Sequence, residues 1–121
     1  MKILVIDDST TIRMVLSAAL KELGHEVVQA VNGKVGLETA KSQDGLCAVF
    51  VDWNMPEMSG YEFVVAARAD EKLKTVPIAM LTSETDAANV EKALKAGATL
   101  FVTKPFTKDT IKEKLALLVP A

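Results

Sequence analysis

Asp7, Asp8, Asp52, Thr82 and Lys104 are the side chains of this sequence whose types could handle a phosphoryl group. Carboxylates brought together repel, and burying even one unpaired charge is expensive. A site holding Asp7, Asp8 and Asp52 therefore needs positive charge, which Lys104 and a hard divalent cation would supply. Mg²⁺ suits that role: it takes oxygen ligands octahedrally, keeps several waters and asks for few protein groups. Asp7 or Asp8, Asp52 and a main-chain carbonyl at Asn54 would suffice. Asp52 can attack phosphorus as a carboxylate nucleophile. Such transfer asks the protein mainly for positioning and for charge stabilisation at the equatorial oxygens. The cation would hold one oxygen, Lys104 a second, and the Thr82 hydroxyl with nearby N–H groups a third.

Residues this far apart in the chain meet only if the fold brings them together. Short apolar runs at residues 3–6, 27–31, 48–51, 78–81 and 100–102 are continuous and often β-branched, as strands buried on both faces require. Helical patterns alternate with them. Ile12, Val15, Leu16, Ala19, Leu20 and Leu23 form one stripe, closed by Gly24. Val35, Leu37 and Ala40 mark a weaker second helix after Asn32-Gly33. Ser59-Gly60-Tyr61-Glu62 has the form of a capping box that starts a third helix running to about Ala69. Val90, Ala93 and Leu94 mark a fourth ending near Gly97, and Ile111, Leu115 and Leu118 a fifth. This βα alternation, five times over, predicts an α/β fold with a doubly wound parallel sheet. Ligands of such sheets sit outside the carboxyl ends of the strands. The residues expected there are Asp7 and Asp8, Asn32, Asp52, Thr82 with Ser83, and Thr103 with Lys104.

The 121 residues make one domain, read as 1–121 with no attached output domain. Fourteen basic against sixteen acidic side chains give a net charge of −2, which argues against nucleic acid as a partner. Residues 1–85 hold eight basic and twelve acidic side chains and residues 86–121 six and four, so the acidic excess lies where a cation is wanted. Cys47 is the sole cysteine, which excludes an internal disulfide and fits a reducing compartment. The apolar stretch after Met1 is too short for a signal-peptide core, and no run approaches the length of a membrane span. A cytoplasmic protein without membrane association is expected.

Four segments together resemble those of response-regulator receiver domains. They are Val5-Ile6-Asp7-Asp8-Ser9, Val51-Asp52-Trp53-Asn54-Met55-Pro56-Glu57-Met58-Ser59-Gly60, Leu81-Thr82-Ser83-Glu84 and Val102-Thr103-Lys104-Pro105-Phe106. Ala96-Gly97-Ala98 and Thr107 are also similar to the family, and the likeness spans essentially the whole chain. Trp53, Asn54 and Glu84 look most like the single-domain chemotaxis regulators. The resemblance implies a flavodoxin-like (βα)5 sheet with strand order 2-1-3-4-5. It implies that Asp52 is the phosphoacceptor, Asp8 a direct metal ligand, Asp7 a partly water-mediated one and Asn54 a carbonyl ligand. Thr82 would be the switch hydroxyl, Lys104 the phosphate-binding ammonium and Phe101 the switch aromatic, where chemotaxis regulators usually carry Tyr. The Lys104–Pro105 bond would be cis. The implied function is a phosphorylation-activated switch in two-component signalling, a monomer that is not an enzyme although it catalyses its own phosphorylation and dephosphorylation. The implied partners are a histidine kinase or phosphotransfer domain, a flagellar motor switch protein and a phosphatase.

Plainer roles compete residue by residue. Asp7-Asp8 could cap the first helix, and Asp52 could be a turn residue ahead of Asn54 and Pro56. Thr82 could satisfy backbone at a strand end, and Lys104 could be solvated. Trp53 either lines the site or only packs. His25 is expected at the surface, Cys47 as a small buried hydrophobe, and Glu57 and Glu84 at the rim. Lys92, Lys95, Lys108 and Lys112 are expected on a surface made by the fourth helix, fifth strand and fifth helix, suited to an acidic or amphipathic partner helix. Among other functions, a phosphorelay intermediate and a phosphate sink stay open within the family. An aspartate-nucleophile phosphohydrolase would need its nucleophile after the first strand and an inserted cap. A flavin carrier would need a phosphate loop after the first strand, where Asp7 and Asp8 would repel phosphate.

Overall fold

The computed structural model of the chain describes residues 2–53, 55, 58–83 and 87–119. The elements run β1 (Lys2–Ile6), α1 (Thr10–Glu22), β2 (Glu26–Ala30), α2 (Gly33–Ser42), β3 (Leu46–Asp52), α3 (Gly60–Arg68), β4 (Ile78–Ser83), α4 (Ala87–Ala96), β5 (Leu100–Lys104) and α5 (Lys108–Leu118). All pairings are parallel and the strand order is β2-β1-β3-β4-β5. The expected doubly wound sheet and its order are both present.

Continuous apolar strands arise because helices cover both faces, so alternate residues enter different cores. Leu4, Ile6, Val49, Val51, Ile78 and Met80 pack with Ala40, Phe63, Val64, Ala67 and Ala93 from α2, α3 and α4. Ile3, Val5, Phe50, Ala79, Leu81 and Val102 pack with Leu16, Leu20, Ile111 and Leu115 from α1 and α5. The strands run past their apolar stretches. Asp52, Thr82, Ser83, Thr103 and Lys104 lie inside strands rather than after them, because ladder hydrogen bonds use backbone and tolerate polar side chains at the sheet's end.

Side-chain caps set the helix starts. Ser9 Oγ accepts from the Ile12 N–H at 3.3 Å, so Ser9, and neither Asp7 nor Asp8, caps α1. Asn32 Oδ1 accepts from the Val35 N–H at 2.8 Å, which gives Asn32 the same task on α2. The capping box is complete: Ser59 Oγ accepts from the Glu62 N–H, and Glu62 Oε1 accepts from the Ser59 N–H. Gly24 and Gly97 follow α1 and α4 with φ of +94° and +123°, the left-handed conformation that glycine adopts at least cost.

Two sequence expectations fail at the periphery, and His25 keeps to the surface as expected. Val15 and Leu94 were placed in apolar stripes but are 51% and 40% exposed. A stripe read from spacing is wider than the strip of helix that the sheet covers. Cys47 is half-buried, its thiol directed to the Gly45 carbonyl at 3.4 Å. His25 is likewise partly covered, and burial lowers its pKa from the ordinary imidazole value.

Arg68 holds the opposite end of the sheet together. Its Nε donates to the Gly97 carbonyl at 2.8 Å, and its Nη1 reaches the carbonyls of Val76 at 2.7 Å and of Leu73 and Lys74 at 3.2 Å. One planar fork thus joins the end of α3, the approach to β4 and the turn before β5. Its burial lowers the pKa of the guanidinium.

Candidate phosphorylation site

Strand register assembles the site. Ile6 lies beside Val51, Asp52 beside Leu81, and Ser83 beside Lys104. The residues at the carboxyl ends of β1, β3, β4 and β5 therefore share one edge. Asp7 is fully buried there: its N–H donates to the Ala30 carbonyl at 3.2 Å, and its Oδ1 accepts from the Ser9 N–H at 2.9 Å. Arg13 Nη1 donates to the Asp7 carbonyl at 2.7 Å. Asp52 is nearly buried and Asp8 is exposed. One carboxylate oxygen from each of the three lies within 4.8 Å of the others.

Lys104 closes the cluster. Its Nζ donates to Asp7 Oδ2 and to Asp52 Oδ1, each at 3.1 Å. Burial works against the ammonium, but attraction and hydrogen bonding to Asp52, then to Asp7, outweigh it and raise the lysine pKa. The two ion pairs and the partial burial of its side chain set aside the reading of a solvated surface lysine. The Lys104–Pro105 peptide bond is cis.

Three carboxylates against one ammonium leave excess negative charge around the oxygens. Asp8 is exposed and makes no ion pair with Lys104 among the described residues. That donor set, all oxygen and all carboxylate, fits a hard divalent cation. Thr82 adds a second mark of an anion site. Its side chain is buried, and among the described residues its hydroxyl has no hydrogen-bond partner. A buried hydroxyl without a partner is costly, so it does not serve the local backbone as a strand-end residue would.

The loop after Asp52 lies close to α3. Trp53 N–H donates to the Leu81 carbonyl at 2.9 Å, and Gly60 N–H donates to the Trp53 carbonyl at 3.0 Å. A Cβ on Gly60 would lie 2.3 Å from the Asp52 carbonyl oxygen, so only glycine permits this approach. Trp53 is half-buried and packs against the α2–α4 core and on Tyr61. Asn54, Pro56, Glu57 and Glu84 lie outside the described residues.

Residues 3–116 match the family of the response regulator receiver domain. The chain belongs to the response regulator receiver family. Among curated relatives, this receiver domain is 42% identical over 120 residues to the chemotaxis protein CheY1 of Helicobacter pylori strain J99, covering 98% of this chain and 97% of that one. It is also 42% identical over 116 residues to a CheY homolog of Campylobacter jejuni, covering 95% and 89%. Among solved structures, the chemotaxis regulator CheY4 of Vibrio cholerae superposes with a TM-score of 0.92 at 36% identity, over 98% of each chain. The receiver domain of a sensor histidine kinase from Pseudomonas aeruginosa, which has magnesium coordinated in its active-site cleft, superposes at 0.90 with 28% identity over 99% and 98%. This receiver domain is closely related to the CheY chemotaxis regulators, phosphorylation-activated switches rather than conventional enzymes.

Phe101 is half-buried at the middle of β5, beside Met80, and the Lys114 ammonium stands 5.5 Å from its ring centroid. The four lysines expected on a basic surface are all exposed, and three of them have contacts of their own. Lys92 covers the Tyr61 ring, Lys95 pairs with Glu91 at 3.1 Å, and Lys108 pairs with Glu22 of α1. Lys112 is exposed. Arg13, Tyr61 and Arg68 escaped the sequence reading, since a contact with a distant carbonyl or ring leaves no periodic or motif signal.

Proposed function

We propose that this receiver domain accepts a phosphoryl group on Asp52 from the phosphohistidine of a histidine kinase or phosphotransfer domain. The observation that carries this reading is Lys104 Nζ, 3.1 Å from both Asp7 and Asp52, at the same sheet edge as the buried Thr82 hydroxyl, which has no partner among the described residues. A carboxylate oxygen of Asp52 attacks phosphorus, the P–N bond to the donor imidazole breaks, and the imidazole leaves. Lys104 exchanges part of its contact with Asp52 for a phosphoryl oxygen. The Thr82 hydroxyl donates to another and so gains the partner it lacks.

Asp8 would hold Mg²⁺ directly, Asp7 partly through water, with Asp52 and the Asn54 carbonyl completing the protein ligands. Bound there, Mg²⁺ supplies the positive charge that lets an anionic donor approach three carboxylates. The carboxylate cluster supports this assignment, as does the magnesium in the cleft of the Pseudomonas aeruginosa receiver domain. The same residues would let the chain catalyse both the gain and the hydrolytic loss of its phosphoryl group. The naming of its relatives as chemotaxis proteins supports an output in chemotaxis, with a flagellar motor switch protein as cytoplasmic partner and a phosphatase resetting the signal.

Incubation with acetyl phosphate followed by peptide mass spectrometry tests the proposal. One phosphoryl group on Asp52, absent in Asp52→Asn and absent in excess EDTA, is the expected result. Undiminished labelling of either sample would overturn it.

A further inference from the structure

A chain of contacts leaves the proposed phosphoacceptor in a direction that involves neither Thr82 nor Phe101. Gly60 opens α3 in close approach to the Asp52 carbonyl and donates its N–H to Trp53. The next residue, Tyr61, is therefore mounted on backbone fixed to the loop that carries Asp52. Its ring meets Trp53 at 6.0 Å between centroids and 58° between planes, a tilted pairing within the favourable range for aromatic rings. The far side of the link is a cation: Lys92 Nζ, from α4, stands 4.5 Å from the Tyr61 centroid. Lys92 is exposed and makes no ion pair among the described residues, so the ring is its recorded contact.

The geometry points to Tyr61 and Lys92 as a latch that couples the Asp52–Trp53 loop to α4 and holds α4 in its resting arrangement. The inference rests on the reading of Asp52 as phosphoacceptor and adds to it a second route to α4. The latch belongs to the resting arrangement because it coexists with Lys104 donating to both carboxylates and with Thr82 unpartnered among the described residues. Phosphorylation adds up to about −2 of charge and new acceptors at Asp52, and the loop that carries Trp53 must adjust to them. Tyr61, joined to that loop, then shifts under Lys92, and α4 is released. A contact stronger in one state than in the other biases the equilibrium between them, and the coupling is reciprocal. Loosening the latch therefore tightens binding at Asp52 without touching it.

The test uses beryllofluoride with Mg²⁺ as the phosphoryl mimic, Trp53 emission as one readout and amide exchange of α4 as another. Lys92→Met keeps the length of the side chain and removes its charge. It should tighten apparent beryllofluoride binding by about two- to fivefold, the range of a surface cation–π contact. Lys92→Arg and Tyr61→Phe keep the contact and should bind as the native chain does. Tyr61→Leu removes the ring that meets both Trp53 and Lys92 and should tighten binding at least as much as Lys92→Met, and adding Lys92→Met to it should go no further, because the cation has already lost its ring. Exchange at residues 90–96 should rise in Lys92→Met, in Tyr61→Leu and in the double variant without any ligand. Native affinity in Lys92→Met, or additive effects of the two substitutions, would overturn the latch. A native chain that ignores beryllofluoride would overturn the phosphoacceptor reading instead, and the α4 exchange pattern would still decide the latch.

Discussion

At Lys104 one ammonium bridges two carboxylates. On the proposed reading its charge would meet a phosphoryl group, whereas the metal would draw on the carboxylates. Lys104→Ala is accordingly expected to keep Mg²⁺ binding, followed by Trp53 fluorescence, while losing most of the conformational response to beryllofluoride. Equal switching in that variant would contradict the role. Thr82 offers a sharper measurement, because its hydroxyl is buried and has no partner among the described residues. Thr82→Val keeps the shape and removes the unsatisfied group, so urea unfolding without ligand should show about 1 kcal/mol of added stability. The same variant should respond weakly to phosphorylation. At this scale the sequence was informative about residue type: a carboxylate nucleophile, carboxylate ligands and an ammonium are recognisable from their chemistry. Burial was not. Nothing in the order Asp7-Asp8 says that the first is fully covered and the second exposed.

Among the elements, strands and helix starts were the most legible. Apolar runs gave the five strands with ends off by one or two residues: polar side chains continue β3, β4 and β5, Leu46 and Cys47 open β3, and Val31 falls just past β2. Ser59 and Glu62 declared their helix through paired caps only three residues apart. Long-range ties between elements left no such trace, and Arg68 is the clearest instance. It reaches four carbonyls on two other segments, the furthest 29 residues away. Arg68→Ala leaves those carbonyls without their charged donor, and urea unfolding should show a loss of about 2–4 kcal/mol. Labelling of Asp52 by acetyl phosphate should persist under conditions where the variant remains folded, since Arg68 lies at the other end of the sheet. A stability loss within 0.5 kcal/mol, the ordinary range for surface positions, would show that the ties are dispensable.

For the molecule as a whole, the question is how charge added at Asp52 reaches β5. Thr82 moving toward the phosphoryl group would vacate space near β4, and Phe101, beside Met80 on the neighbouring strand, is placed to fill it. An apolar ring gains by leaving water, and Phe101 starts only half-buried. Turning inward would also separate it from Lys114. NMR of the beryllofluoride-treated protein should show Thr82 and Phe101 shifting together, with some inward Phe101 already populated beforehand. Shift changes confined to the surroundings of Asp52 would refute this coupling. Periodicity, caps and the four spaced segments made the fold class, the edge of the sheet that bears the site and the chemical identity of its residues legible in the sequence alone. These rest on local chain chemistry and on the two-sided burial of parallel strands, both written in neighbouring residues. Only the tertiary structure decided that Ser9 rather than Asp7 caps α1, that Lys104 bridges two carboxylates, and that Lys92 meets Tyr61 and Lys108 meets Glu22. Those outcomes depend on distances between segments far apart in the chain, and strand register and helix packing set such distances in three dimensions.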